Sequence, residues 1–368
     1  MDELQLAYIY RIATMIKALK LKPPHDTFLR DTFFPHDPIR DQYKGEKVLV
    51  EYKDGKRLLA PCVMPRSGGV VIEREKSYVR EFVPPLLEPK RVLSADDVDE
   101  VTFNELIYGL MDPDEKERAL LADDLAFFAD MFDSREEQMA AQIMLNNSCT
   151  LTRFTGEFAS DKDEDWEIRF YDEATNPARY TPAVKWDASG AKILQDLETM
   201  MADLIHRGLL ATWAVMSPDV TKILLNDPDI RALLDIRNIS IGSIAPMELP
   251  NGAAHFGTIN VNGRDLKLVS YDGTYDNIVG VNPDKSLKTE NKPFLPQGTV
   301  IVTSPGVGRR TYASITMMDA NGKRTRYSEA RVPKVEVDTR LEVRELTVKS
   351  RPLLMPKHKS PWVSATVI

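Results

Sequence analysis

Apolar residues recur at three- and four-residue spacing in four stretches of this 368-residue chain. Leu4, Ala7, Tyr8, Ile12, Met15, Ile16 and Leu19 predict an amphipathic helix over residues 4–21, ended by Pro23-Pro24. From Asp114 to Thr155 there is neither Gly nor Pro across 42 residues, and Leu121, Leu125, Phe128, Phe132, Met139 and Ile143 keep one face apolar. A long helix is therefore predicted, with Asp112 as N-cap, Pro113 at its first position and its carboxylates mostly on the solvated face. Run to Asn147, it spans roughly 50 Å, the length of a beam. Shorter helices are predicted over 190–207 and from Ser217-Pro218 to about Leu225.

Strand signals fill much of the rest. Residues 26–57, with Pro35, Pro38, Gly45 and a strand-like run Lys47–Tyr52, read as an extended arm with little core of its own. Residues 58–93 are sparse in apolar side chains yet rich in Val, Ile, Tyr and Phe, the pattern of a hairpin that projects from a body and packs on something else. Residues 149–171 alternate as a hairpin around 161–165. Residues 239–281 are strand-rich, with turns at Pro250-Asn251-Gly252, Asn262-Gly263 and Asp272-Gly273. Thr299–Thr303 reads as a short buried strand, 324–346 alternates charged and β-forming residues, and 362–368 ends the chain as a strand.

A hydrophobic fraction of 43% with 28% charged residues excludes a disordered chain. Net charge is −8, and it is concentrated: residues 96–137 hold fifteen acids against three bases, whereas 323–351 hold nine bases against five acids. Complementary patches of this kind steer copies of a protein onto one another. An acidic chain without a basic block is poorly suited to bind nucleic acid by counterion release, which weighs against a repressor or nuclease but not against a container. No apolar run approaches the roughly 20 residues of a membrane span. Met1-Asp2-Glu3 begins no signal peptide, so synthesis in the cytoplasm is expected. Cys62 and Cys149 are too few for a disulfide framework and are read as buried thiols.

Catalytic motifs are wanting. The five histidines, His25, His36, His206, His255 and His358, form no metal motif. Gly242-Ser243 and Ser189-Gly190 lack the flanking glycine of a nucleophile elbow. Gly306 and Gly308 before Arg309-Arg310 lack the remainder of a phosphate loop, so a turn into a strand is expected. Asp161, Asp163 and Asp165 have the spacing that begins a calcium loop, without the Gly and Glu that complete it. Asp123 and Asp124, adjacent on a helix, diverge by about 100° and cannot converge on one substrate.

An arm, an extended loop, a long helix, a mixed body and terminal strands, in that order, resemble the major capsid proteins of tailed bacteriophages. Phe28-Leu29-Arg30-Asp31-Thr32-Phe33-Phe34, Pro65-Arg66-Ser67-Gly68 running through Val71-Ile72 to Glu81-Phe82-Val83-Pro84, Phe294-Leu295-Pro296, Arg310-Thr311-Tyr312, Arg351-Pro352-Leu353-Leu354 and Trp362-Val363-Ser364 narrow the resemblance to the lambda-type phage major capsid protein E family. The resemblance implies an α+β chain with the Hong Kong 97-like capsid fold: an N-terminal arm over 1–57, an extended loop over 58–93 and a peripheral domain with the spine helix over 94–182. An axial domain over 183–304 and a return to the peripheral domain over 305–368 complete it. Residues 1–21 and the hydrophilic stretch 276–292 match nothing in that pattern.

The implied function is a major capsid protein whose copies form hexamers and pentamers of an icosahedral shell enclosing double-stranded DNA without sequence-specific binding. The implied partners are other copies, a separate scaffold, a portal and a candidate decoration protein, with no cofactor, no catalytic residue and no membrane. The location is the virion, assembled in the host cytoplasm. Arg74, Lys76, Arg80 and Phe82 of the loop, with Phe28, Phe33 and Phe34 of the arm, are the candidate subunit-interface residues; the basic ones are expected to meet the acidic helix of a neighbour. Two other readings are weighed against this: a cellular nanocompartment shell, and a metal-dependent hydrolase built on Asp161, Asp163 and Asp165.

Overall fold

The structure, a computed structural model, describes residues 11–21, 27–52, 78–94, 113–155, 161–162, 165–170, 179–231, 247–249, 252–281, 287–318, 322–340 and 343–368. Its helices are α1 (Ile12–Leu21), α2 (Phe28–Phe33), α3 (Pro113–Asn146), α4 (Ile193–His206) and α5 (Pro218–Asn226). The long helix α3 has 34 residues, close to the predicted span; the proposed N-cap Asp112 lies outside the described residues.

A seven-stranded sheet organises one part of the chain. Its order is Met247–Glu248, Ala253–Val261, Arg264–Tyr271, Trp213–Met216, Thr299–Thr303, Val363–Thr366, Arg179–Tyr180. Ala253–Val261 and Arg264–Tyr271 form a hairpin through Asn262-Gly263, both at positive φ (51° and 78°), the two-residue turn whose twist matches that of its strands. Thr299–Thr303 is buried along its whole length because both sheet faces are covered, hence its unbroken apolar run. One face, through Ala214, Met216, Leu268, Val300 and Val302, packs against Leu197, Met200 and Leu204 of α4 and Val220 and Leu224 of α5. The other, through Val215, Val269 and Ile301, packs against Phe28 of α2 and Met139, Ile143 and Met144 of α3. The last strand, Val363–Thr366, pairs with Thr299–Thr303, so the chain's end lies in the sheet built by residues 213–303.

The two halves of α3 serve different cores. In the first half Leu121, Leu125, Phe128 and Phe132 face Met15 of α1 and Leu346 and Val348. These last two belong to a three-stranded sheet of Lys90–Ser94, Val343–Lys349 and Val332–Asp338. In the second half residues 136–141 are buried without interruption, so the helix is enclosed rather than amphipathic. Asn147, at φ 51°, closes α3 in the left-handed conformation. Its side-chain oxygen accepts the Trp362 indole N–H at 2.8 Å, while the Ser364 hydroxyl donates to the Leu145 carbonyl at 3.2 Å. The terminal Trp362-Val363-Ser364 thus fastens the helix end.

The predicted hairpin after α3 is present: Ser148–Leu151 pairs with Trp166–Arg169, and Phe154–Thr155 with Asp161–Lys162. The described residues of the stretch 276–292, which matched nothing in the family pattern, lie in the antiparallel strands Thr274–Val281 and Leu287–Pro293. Segment 27–50, predicted as an extended arm, contains α2 and contributes Phe28, Leu29, Phe33, Phe34, Val48 and Val50 to the largest core.

Two outcomes follow from this packing. A methyl group on Gly308 would overlap the Phe34 ring, itself fully buried, so Gly308→Ala should destabilise the subunit by about 1–3 kcal/mol in denaturant unfolding. Burial pushes the Cys149 thiol up to about 12, so peptide-resolved mass spectrometry should find Cys149 unmodified by iodoacetamide at pH 8 in the native protein and alkylated in urea.

Candidate functional site

Three carboxylates of α3 point inward: Asp133, Glu136 and Glu137 are at most 2% exposed. A buried carboxylate persists only when paired or hydrogen-bonded, and each of these is. Asp133 meets the guanidinium groups of both Arg30 and Arg331. Glu136 Oε2 lies 3.3 Å from Arg30 and 3.5 Å from Arg310, while its Oε1 accepts the Tyr312 hydroxyl at 2.9 Å. Asp31 adds ion pairs to Arg30 at 2.9 Å and Arg310 at 3.1 Å. Three arginines therefore balance Asp31, Asp133 and Glu136.

Glu137 has a different role. Its Oε1 accepts the backbone N–H of Leu29 at 2.8 Å and the Tyr271 hydroxyl at 2.7 Å; its Oε2 accepts the Arg30 N–H at 2.8 Å. These are first-turn amides of α2, which Thr27 leaves uncapped because its hydroxyl donates to Asp31 instead. A six-residue helix is too short to stand alone. It is nucleated against α3 by a capping carboxylate from 107 positions away.

The electrostatics follow from burial and pairing. Burial lowers the Arg30 guanidinium, but Glu136, Asp31 and Asp133 outweigh it and hold it above its ordinary value. Burial would raise Asp31, yet the hydrogen bond and charge of Arg30 hold it below the usual range. For Glu137 burial prevails over its donors, and its carboxyl is raised. The Tyr271 and Tyr312 hydroxyls are pushed up by burial and by Glu137 and Glu136 respectively.

The arm rings expected at a subunit interface are placed elsewhere. Phe28, Phe33 and Phe34 are 1%, 0% and 0% exposed within their own chain. Phe28 packs on Phe33, Trp213 and Tyr271 at 5.8, 5.9 and 5.5 Å, and Phe34 on Trp362 at 5.7 Å. This corrects the expectation: their apolar surface is already spent in the subunit core. Phe82 is half-buried and packs against Phe170, ring centroids 5.3 Å apart, and Arg80 is exposed on the strand Tyr78–Phe82. Arg74 and Lys76 lie outside the described residues, as do Cys62, Asp163 and Glu164. Among the described residues no group of His, Cys, Asp and Glu could hold a metal ion, and no helix is long and apolar enough to cross a membrane.

The solvated-face reading of the α3 acids holds for Glu115 and Asp123, which are exposed, and fails for Asp133, Glu136 and Glu137. The same exposed face of α3 also carries apolar side chains. Ala119, Ala122, Phe127 and Met131 are exposed there, Phe127 at 48% and Met131 at 36%. Arg91, from the adjacent strand, lies 4.6 Å over the Phe127 ring and pairs with Asp124. Small side chains flanked by Phe and Met let another chain approach the helix closely.

A long helix braced by a small sheet, wrapped by an N-terminal segment and joined to a larger sheet is the architecture of the Hong Kong 97-like capsid subunit. One solved relative is the putative capsid protein of a prophage of Escherichia coli CFT073, at TM-score 0.60 and 16% identity, covering 100% of this chain and 99% of that one. Another is a phage-related protein from Bordetella bronchiseptica RB50, at TM-score 0.50 and 8% identity, covering 96% of each chain. No curated protein matches the sequence. The profile of the family described as phage major capsid protein E matches residues 11–367. The chain belongs to this family, and its function is that of a phage major capsid protein.

Asp133→Asn would take from Arg331 its carboxylate and leave Arg30 with Asp31 and Glu136 alone, and a loss of about 3 kcal/mol is expected in urea unfolding of the subunit. The folded Glu137 carboxyl is raised above its ordinary 4.5. Its stabilising contribution is therefore full below about pH 4.5 and declines as pH climbs through the folded value. Glu137→Gln cannot titrate, so the stability difference between wild type and this variant should shrink as pH rises from 4.5 towards 7, measured by unfolding across that range.

Proposed function

We propose that copies of this chain assemble into hexamers and pentamers of an icosahedral shell that encloses double-stranded DNA without reading its sequence. The observation that carries this reading is the open strip of α3, with Phe127 and Met131 exposed beside Arg91, on a subunit of a capsid family. The strands Val48–Tyr52 and Tyr78–Phe82 are paired from Val48↔Phe82 to Tyr52↔Tyr78. The part of the extended loop (58–93) that precedes Pro84 then lies across a neighbour's α3, its Arg74, Lys76 and Arg80 towards the acids of that helix, while Lys90–Ser94 stays in its own subunit's three-stranded sheet. Each contact is modest, and repetition over a closed surface makes the shell stable.

In this reading residues 1–57 are the arm, 94–182 the peripheral domain and 183–304 the axial domain, with 305–368 returning. The role is structural rather than catalytic. Assembly takes place in the host cytoplasm with a separate scaffold and a portal, and a decoration protein is a further candidate partner.

Reversing Arg74, Lys76 and Arg80 to Glu should leave the folded subunit intact by circular dichroism and abolish closed shells under conditions where the wild type forms them, as seen by negative-stain electron microscopy. An exposed ion pair contributes only about 0.2–1 kcal/mol, so the effect depends on its recurrence in every subunit. Normal shells from the triple variant would refute the contact between loop and helix.

A further inference from the structure

Arg135 differs from the other arginines around the enclosed half of α3. Arg30, Arg310 and Arg331 each meet carboxylates. Arg135 is half-buried, and among the described residues its partner is an amide: Nη1 donates to Gln138 Oε1 at 2.5 Å. The ionisable groups that act on it are the Cys149 thiol and the Tyr275 hydroxyl, and burial holds the guanidinium below its ordinary value. A guanidinium partly withdrawn from water without a counter-charge gains from a carboxylate that associates with it and completes its burial.

The surroundings indicate where that partner comes from. Gln138 Nε2 donates in turn to the Tyr275 hydroxyl at 3.0 Å. Tyr275 stands at the foot of the ribbon Thr274–Val281/Leu287–Pro293, where it stacks on Phe294 at 4.9 Å. Above this anchor the two strands pair with each other and with no other described strand. Every residue of Leu287–Pro293 except Lys292 is exposed. Seven residues at 3.3 Å reach roughly 23 Å, and a two-stranded ribbon alone in water is only marginally stable. Its polar side chains mix signs: Asp276, Lys288, Glu290 and Lys292. That mixture fits a protein surface and disfavours a polyanion such as DNA. Complementary charge is abundant on the chain itself, whose net charge is −8 and whose Glu115, Asp123 and Asp165 are exposed.

We propose that a carboxylate of a second copy enters at the foot of the ribbon and pairs with Arg135, while the free strand Leu287–Pro293 packs against that copy. This deepens the capsid reading and rests on it. A half-buried arginine that gains its carboxylate only on association is the kind of residue on which interface affinity concentrates.

Arg135→Gln removes the uncompensated charge, so the dissociated subunit should unfold at an equal or higher urea concentration than wild type. The critical concentration for assembly should rise roughly tenfold or more. Hydrogen exchange on the wild-type protein provides the second measurement: amides of 287–293 should exchange freely in dissociated subunits and at least tenfold more slowly in shells. A Gln variant that assembles at the wild-type concentration would overturn the proposal, as would one whose subunit is less stable, since Arg135 would then serve the fold alone. Equal exchange in both states, or protection that arises only when DNA is added, would also overturn it. In each of those cases wild-type shells still form and the capsid reading stands; failure of the wild type to form any shell would overturn both.

Discussion

Enclosing the second half of α3 obliges the fold to satisfy three carboxylates away from water. Asp133, Glu136 and Glu137 lie within five positions on one helix, and each lone pair left unmet would oppose folding by an amount comparable to a whole hydrogen bond or more. The groups that meet them come from distant parts of the chain: Arg30 and the first-turn amides of α2, Tyr271 from the large sheet, Arg310 and Tyr312 from the strand Gly308–Tyr312, and Arg331. The network therefore specifies which elements surround α3. Balanced pairs of this kind add little net stability compared with apolar packing, but they disfavour any arrangement that leaves one member alone. The apolar rings of the N-terminal segment supply the stabilisation, with Phe28, Phe33 and Phe34 fully enclosed beside the network.

The same helix is used differently along its length, and that difference separates folding from assembly. Its C-terminal half is spent inside the subunit. Its N-terminal half presents one face to α1 and the three-stranded sheet and leaves Phe127 and Met131 outward. A beam anchored at one end and open along the other can bear contact from a neighbour without disturbing the core. The strands Val48–Tyr52 and Tyr78–Phe82 perform a similar division for the extended loop: Val48 and Val50 are buried, Phe82 rests on Phe170, and Leu49 faces out at 59%.

Local patterns in the sequence reveal local structure. Pro113 and the end read at Asn147 mark α3 to within a residue, Asn262-Gly263 marks its hairpin, and the run Thr299–Thr303 marks a strand covered on both faces. The destinations of the arm rings are not local, because Phe28 meets Trp213 and Tyr271, and no spacing rule reaches that far. Periodicity also could not place the acids of α3. It assumes one wet face, which holds for Asp123 and fails where the helix is wrapped. The strand Thr274–Val281 falls in the stretch 239–281 that reads as strand-rich, whereas its partner Leu287–Pro293 has no apolar face by which a strand is recognised. Arg30, Arg310 and Tyr312 were legible as words of a family resemblance; their convergence on Glu136 gives those words a shared physical meaning.

The division of α3 into an enclosed half and an open strip is tested most directly by electron cryomicroscopy of the assembled shell, at a resolution that traces side chains. The expected map shows Phe127 and Met131 covered by the part of a neighbouring copy's extended loop that precedes Pro84, and Arg30, Asp133 and Arg331 joined within a single subunit. A map in which that strip faces solvent, or in which Arg30 reaches the α3 of a neighbour, would contradict it.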